Sequence, residues 1–233
     1  MQERPWLKTF REYGIAAEIA AAPYASVVAM LEAAMQRYAT KTAFVSFGQR
    51  LSYADVDRLS RDFAAWLQGQ GVKRGDRIAV MTPNILAFPV AMLGIVRAGA
   101  VQVNVNPLYT PRELEHQLAD AGATVMVIFD GSTPTLAEVI GRTPVKHVVT
   151  TGLGDGSGAK LPGPAVDARL SGTTKLVDAL AEGAGLERIP VALAGDDPAF
   201  LQYTGGTTGL SKGACLSHRN LVANTMQFRA VIG

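Results

Sequence analysis

The stretch from Arg77 to Val105, RIAVMTPNILAFPVAMLGIVRAGAVQVNV, decides the fold class. After the turn Arg74-Gly75-Asp76, Arg77 to Met81 is a short apolar run. Thr82-Pro83-Asn84 then opens an apolar helix from Ile85 to Arg97, and Ala100 to Val105 is a second, valine-rich run. Strand, helix and strand in that order form a βαβ unit, whose strands lie parallel and whose crossover is right-handed. The chain is therefore predicted to be α/β, a layered and largely parallel sheet flanked by helices.

The flanking sequence repeats the alternation. Toward the N-terminus, Ser26 can cap a helix through about Tyr38, Ala43 to Phe47 reads as a strand, and a turn at Gly48-Gln49 is expected to close a hairpin. Ser52-Tyr53-Ala54-Asp55 is a capping-box start, and Val56, Leu59, Phe63, Ala64 and Leu67 form a helical stripe ending near Gly69 and Gly71. Toward the C-terminus, Thr110-Pro111-Arg112-Glu113 supplies an N-cap, a proline at the first helical position and a glutamate at the third. That predicts a helix over Pro111 to Ala121, followed by a strand over Thr124 to Phe129. A helix near Pro134 to Ile140, a strand over Lys146 to Thr150 and a helix over Lys175 to Ala181 continue the pattern.

Gly152 to Gly172 holds six glycines and two prolines in 21 residues. It is expected to be an exposed, mobile insertion. Gly154, Gly156 and Ala159 formally satisfy G-x-G-x-x-A, but a dinucleotide fingerprint must leave a strand and open a helix, and Leu161-Pro162-Gly163-Pro164 follows instead.

Composition narrows the function classes. The chain has 233 residues, 48% hydrophobic and 18% charged, enough to bury a core. Its single cysteine, Cys215, closes no intramolecular disulfide and suits a reducing cytoplasm. The longest apolar run, Ile85 to Val96, is twelve residues, against the roughly 20 needed to cross a bilayer. Charge and proline within Met1 to Trp6 argue against a secretory signal. A net charge of +2 gives no reason to expect a nucleic-acid partner. From Pro198 onward the only charged residues are Lys212, Arg219 and Arg229, a segment of +3 that could receive an anion.

The chemistry concentrates in that segment. A strand over Ala199 to Tyr203 runs into Thr204-Gly205-Gly206-Thr207-Thr208-Gly209-Leu210-Ser211-Lys212-Gly213. Four glycines can bring several N–H groups to one point, and three threonine hydroxyls and one ammonium add donors, so the stretch reads as a cradle for polyphosphate. It lacks the Walker A spacing. Gly209-Leu210-Ser211-Lys212-Gly213 matches the G-x-S-x-G elbow of hydrolases, but no Asp or Glu follows Ser211 and the only later histidine, His218, is seven residues away.

This loop resembles the phosphate-loop signature of the adenylate-forming acyl-CoA synthetase superfamily over Gln202 to Gly213, with Gly205 in place of the usual serine and Ser211 in place of the usual proline. The Gly205-Gly206 pair, Ser217-His218-Arg219-Asn220, Asn104 through Leu114, and Trp6-Leu7-Lys8 are similar to the bacterial long-chain fatty acid–CoA ligase branch. The resemblance implies activation of a fatty acid by ATP to an acyl-adenylate, then transfer to CoA. In that scheme Thr204, Gly205, Gly206, Thr207, Thr208, Gly209, Ser211, Lys212 and Gly213 surround the ATP phosphates, working with Mg²⁺, and Lys212 stabilises the leaving pyrophosphate. It also implies that residues 1–233 are the N-terminal part of an AMP-binding domain. The adenine site, the magnesium glutamate and a mobile domain with a second lysine lie in an absent C-terminal half, so the chain alone is expected to be inactive. The alternative is a non-catalytic nucleotide- or polyphosphate-binding module. The expected location is cytoplasmic, with peripheral contact to the inner face of the cell membrane left open.

The other polar residues read as structural. His116 lies in a capped surface helix, His147 leads a strand, and Ser217 is expected to cap a helix over Arg219 to Val231 with His218 at its start. Cys215 is expected to be a small buried hydrophobe, and Met30, Met35, Met81 and Met92 to pack in apolar stripes.

Overall fold

The computed structural model describes residues 4–18, 23–204 and 211–232. The helices and strands run α1 (Trp6–Glu12), α2 (Val27–Arg37), β1 (Thr42–Ser46), β2 (Gln49–Ser52), α3 (Tyr53–Gly69), β3 (Arg77–Met81), α4 (Ala87–Arg97), β4 (Val101–Asn104), α5 (Pro111–Ala121), β5 (Val125–Phe129), α6 (Thr133–Ala137), β6 (His147–Thr151), β7 (Thr174–Lys175), α7 (Leu176–Gly183), β8 (Pro198–Thr204), β9 (Lys212–Ser217) and α8 (His218–Ile232).

Local chemistry sets the helix starts. Ser26 Oγ accepts from the Ala29 N–H, and both Ser52 with Asp55 and Thr110 with Glu113 form reciprocal capping boxes. Hydrogen bonds from the capping serine and threonine hold the Asp55 and Glu113 carboxyls below the usual carboxylate range. The β1–β2 turn sits at Phe47 and Gly48, one residue before the expected position, with φ of 48° and 71°. Two successive positive φ values give the primed turn whose twist matches antiparallel strands.

The sheet has seven strands in the order β7-β6-β5-β3-β4-β8-β9. All neighbours are parallel except the last pair, in which β9 returns antiparallel to β8. One face is covered by α2, α3, α4 and α7, around Phe63, Leu67, Val90 and Leu93. The other is covered by α5 and α6, around Leu114, Leu118, Met126 and Leu136. The four methionines pack as expected: Met35 and Met81 are buried, and Met30 and Met92 are half-buried.

Two contacts tighten the first helix layer. Gly183 lies so close to α3 that a Cβ there would stand 2.0 Å from the Asp62 carbonyl oxygen. Arg97 is fully buried at the end of α4. Its guanidinium is 3.2 Å from the Glu32 carboxylate on α2 and donates to Asp57 Oδ1 on α3 at 2.5 Å and to Ser60 Oγ at 2.6 Å. A charge placed in the core is tolerated only with such partners.

The structure departs from expectation in two places. The helix expected near Pro134 to Ile140 is only the five-residue α6, between 3₁₀ turns at Asp130–Ser132 and Ile140–Arg142. Glycines at 131 and 141 bracket a segment too short to propagate a longer helix. Cys215 is exposed rather than buried. It stands on the outermost strand, and the α5–α6 layer packs on the sheet only as far as Leu201 and Tyr203 of β8.

Residues 152–172 carry turns and bends but no helix or strand. Asp155 Oδ2 accepts from the Gly152 N–H at 3.0 Å, and the Ser157 hydroxyl donates to the Gly154 carbonyl at 2.8 Å. No helix opens after Gly156, so the dinucleotide fingerprint has no structural counterpart there.

Candidate functional site: the carboxyl end of strand β8

Strand β8 lies beside β4 with Gln102, Val103 and Asn104 opposite Phe200, Leu201 and Gln202. The chain leaves β8 at its carboxyl end, where open parallel sheets place their ligands. It returns as β9 with Tyr203 opposite Gly213 and Thr204 opposite Lys212. Cross-strand partners project from the same face. Thr204 and Lys212 are thus cross-strand neighbours at the rim, and both residues are exposed. Lys212 is the only charged residue between Pro198 and Ser217. Hydroxyl and ammonium together suit an anion.

Four of the nine residues expected to surround phosphate, Thr204, Ser211, Lys212 and Gly213, are described. Gly205, Gly206, Thr207, Thr208 and Gly209 lie outside the described residues, as does Leu210. Gly213 has a steric role: a Cβ there would meet the Tyr203 ring at 2.9 Å. That ring is fixed at its far end, where the phenol donates to Asp120 Oδ2 at 2.5 Å. Burial, then the neighbouring Asp120 carboxylate, pushes the phenol pKa well up, so it stays protonated and donating.

Around this end runs a chain of amides. Gln102 Nε2 donates to Asn104 Oδ1 at 2.6 Å, Asn104 Nδ2 to Gln202 Oε1 at 2.7 Å, and Gln117 Nε2 to the Asn104 carbonyl at 2.7 Å. Beside it opens a cleft of about 370 Å³ lined by Asn104, Val105, Asn106, Tyr109, Gln202 and Tyr203. From α5, His116 Nε2 stands 3.4 Å from the Ser211 carbonyl oxygen, at the return of the chain into β9.

The remaining histidines divide by environment. His147 is exposed at the start of β6. His218 is 1% exposed, and its Nδ1 accepts from the Val27 N–H at 3.3 Å, which ties α8 to the start of α2. Burial pushes its pKa down, with Asp197 opposing. Ser217 caps α8 as expected, its Oγ accepting from the Asn220 N–H at 3.3 Å.

Mg²⁺ takes oxygen ligands, usually one or two carboxylates plus substrate phosphates. Residues 198–217 contain no Asp or Glu. Among the described residues no cluster of three His, Cys, Asp or Glu side chains could hold a metal ion. The residues at the hairpin therefore do not form a magnesium site by themselves.

The structure pairs Thr204 with Lys212, and sequence reasoning missed Asp120, Gln117 and the contact of His116 beside them. Asn104 and Tyr109 stood in a stretch noted only for its resemblance. The available signal was the i, i+4 spacing of His116 and Asp120, which puts both on one face of a capped helix.

A family model for the AMP-binding enzyme matches residues 31–232. The chain belongs to the AMP-binding enzyme family. It is 44% identical, across an alignment of 245 residues, to the long-chain-fatty-acid–CoA ligase of Salmonella typhimurium, covering 99% of this chain and 43% of that protein. It is 32% identical to the protein of the same name from Bacillus subtilis, covering 96% of this chain and 41% of that one. Among solved structures, a long-chain-fatty-acid-CoA ligase from Archaeoglobus fulgidus superposes with a TM-score of 0.72 at 26% identity, covering 91% of this chain and 42% of that chain. The chain thus spans less than half the length of these family members. Among its described residues no helix is long and apolar enough to cross a membrane.

Proposed function

We propose that residues 1–233 are the N-terminal part of the adenylation domain of a long-chain fatty acid–CoA ligase, contributing its phosphate-binding hairpin. The observation that carries the reading is the pairing of Thr204 with Lys212 at the carboxyl end of β8 in a chain of this family. In the reaction a fatty carboxylate oxygen attacks the α-phosphorus of ATP, the bond to the bridging oxygen breaks, and pyrophosphate leaves with the electron pair. The CoA thiolate then attacks the acyl carbon and expels AMP.

The hairpin acts on the first step. Charge grows on the leaving pyrophosphate, and Lys212, with the hydroxyls of Thr204, Thr207 and Thr208, stabilises it more strongly in the transition state than in bound ATP. Gly205, Gly206, Gly209 and Ser211 allow the backbone to follow the phosphates. Gly213 keeps Tyr203 seated beneath them. Mg²⁺, when bound through residues outside this hairpin, supplies further neutralisation of the phosphates.

Location follows the chemistry of the substrates: ATP and CoA place the work in the cytoplasm, and the fatty acid gives a reason for peripheral contact with the inner membrane face. ATP–pyrophosphate exchange by the intact gene product, with fatty acids of graded length, tests the proposal. Exchange that depends on a long-chain acid supports it. Nucleotide binding without exchange favours the binding-module reading. The 233 residues alone should release no pyrophosphate, because catalysis by positioning needs carboxylate and α-phosphate held together.

A further inference from the structure

One helix touches both flanks of the hairpin rim. On α5, His116 and Asp120 are four residues apart and share a face. Asp120 accepts from the Tyr203 phenol, one residue before Thr204, and His116 Nε2 faces the Ser211 carbonyl, one residue before Lys212. Between them on the same helix, Gln117 Nε2 holds the Asn104 carbonyl at the end of β4. A carbonyl oxygen only accepts, so at Ser211 the imidazole is the donor. α5 is itself fixed at its start by the Thr110–Glu113 capping box and through its length by buried Leu114 and Leu118.

The geometry points to His116 and Asp120 as positioning residues for the reaction proposed above: they hold the two flanks of the β8–β9 hairpin to one rigid helix. Thr204 and Lys212 are then presented together before any phosphate arrives. The inference rests on the phosphate-binding reading of that pair. Thr204 and Lys212 each follow directly in the chain on a residue tied to α5. Gly213 completes the device, since a side chain there would displace the Tyr203 ring from Asp120. Ordering the flanks in advance lowers what ATP must order on binding. That contribution is the same for bound ATP and for the transition state, so its loss should appear in KM and leave kcat nearly unchanged.

The test is ATP–pyrophosphate exchange by the intact gene product, varying ATP, for His116→Leu, His116→Gln and Tyr203→Phe. His116→Leu removes one donor and should raise KM for ATP about fivefold, with kcat within about twofold. His116→Gln keeps an N–H at similar reach and should recover most of that loss. Tyr203→Phe, which strips the bond to a carboxylate, should raise KM about 10- to 100-fold. Backbone hydrogen exchange on the same preparations reads the anchoring without any turnover. The Leu variant should lose protection in β9 near Lys212 while the amides of α5 keep theirs. A wild-type KM in His116→Leu, a Gln variant no better than Leu, or β9 protection unchanged would overturn the inference. Wild-type enzyme inactive toward every acid would refute the function proposed above, and the exchange data would still decide whether His116 anchors β9.

Discussion

The α3–α4–α7 helix layer and the β8–β9 hairpin lie in the same chain but are held by different physics. In the helix layer the fully buried Phe63, Leu67 and Arg97 are enclosed, and Gly183 admits a neighbouring backbone with no space to spare. In the hairpin, Lys212, Gly213, Ala214 and Cys215 of β9 are all exposed, and α5 holds the hairpin by packing on Leu201 and Tyr203 of β8 and by polar contacts to Tyr203 and Ser211. The first region is built to resist change. The second leaves Thr204 and Lys212 at the surface. Substitutions should therefore lower stability in one region and function in the other.

The largest effect should come from Arg97→Ala. It would open a buried cavity and remove the cation that Asp57 and Glu32 share, leaving Asp57 with Arg61 and Glu32 with Arg188 at 3.9 Å, and loss of one partner of a buried ion pair costs about 3–5 kcal/mol. Denaturant unfolding measures it. A change under about 1 kcal/mol would show that the helix layer does not depend on this charge. Gly183→Ala should follow at about 1–3 kcal/mol, the usual cost of forcing a methyl group into a packed contact. If its melting temperature matched the wild type, the approach of α7 to α3 would be looser than the 2.0 Å clearance implies.

A smaller, pH-dependent effect should come from His218, which joins α8 to α2. Its folded pKa is depressed below the unfolded value of about 6.5. Below that pH the unfolded state binds the extra proton first, so stability should fall as pH drops from about 6.5 toward the folded pKa and level off beneath it. His218→Asn should flatten the slope of stability between pH 7.5 and 5.5. An unchanged slope would assign the acid sensitivity elsewhere. The smallest effect should be Cys215→Ser, within about 0.5 kcal/mol for an exposed residue. A larger loss would mean that β9 is better covered than it stands here.

The same contrast explains what the sequence revealed. Helix caps and apolar stripes are local, so Ser52-Tyr53-Ala54-Asp55, Thr110-Pro111-Arg112-Glu113 and the run Arg77 to Met81 were readable to within a residue or two. Parallel pairing followed from the βαβ order. Long-range polar partners leave no periodic trace. Nothing in the spacing of Arg97 and Glu32, or of Tyr203 and Asp120, announces that they meet. The exposure of Cys215 was misread because strand alternation tells which face a residue takes and not whether that face is covered. Lys212 and Thr204 could be proposed from sequence because a hydroxyl-rich, glycine-rich stretch ending in a lysine suits an anion, and the structure adds that the two residues pair across the hairpin.

The central claim is that Lys212 belongs to the pyrophosphate-stabilising machinery, and ATP–pyrophosphate exchange by the intact gene product carrying Lys212→Ala tests it most directly. Loss of a preorganised donor to developing charge should lower the exchange rate about 10²–10³-fold. Stability should stay within about 0.5 kcal/mol of wild type, since the residue is exposed. Exchange at the wild-type rate would contradict the account.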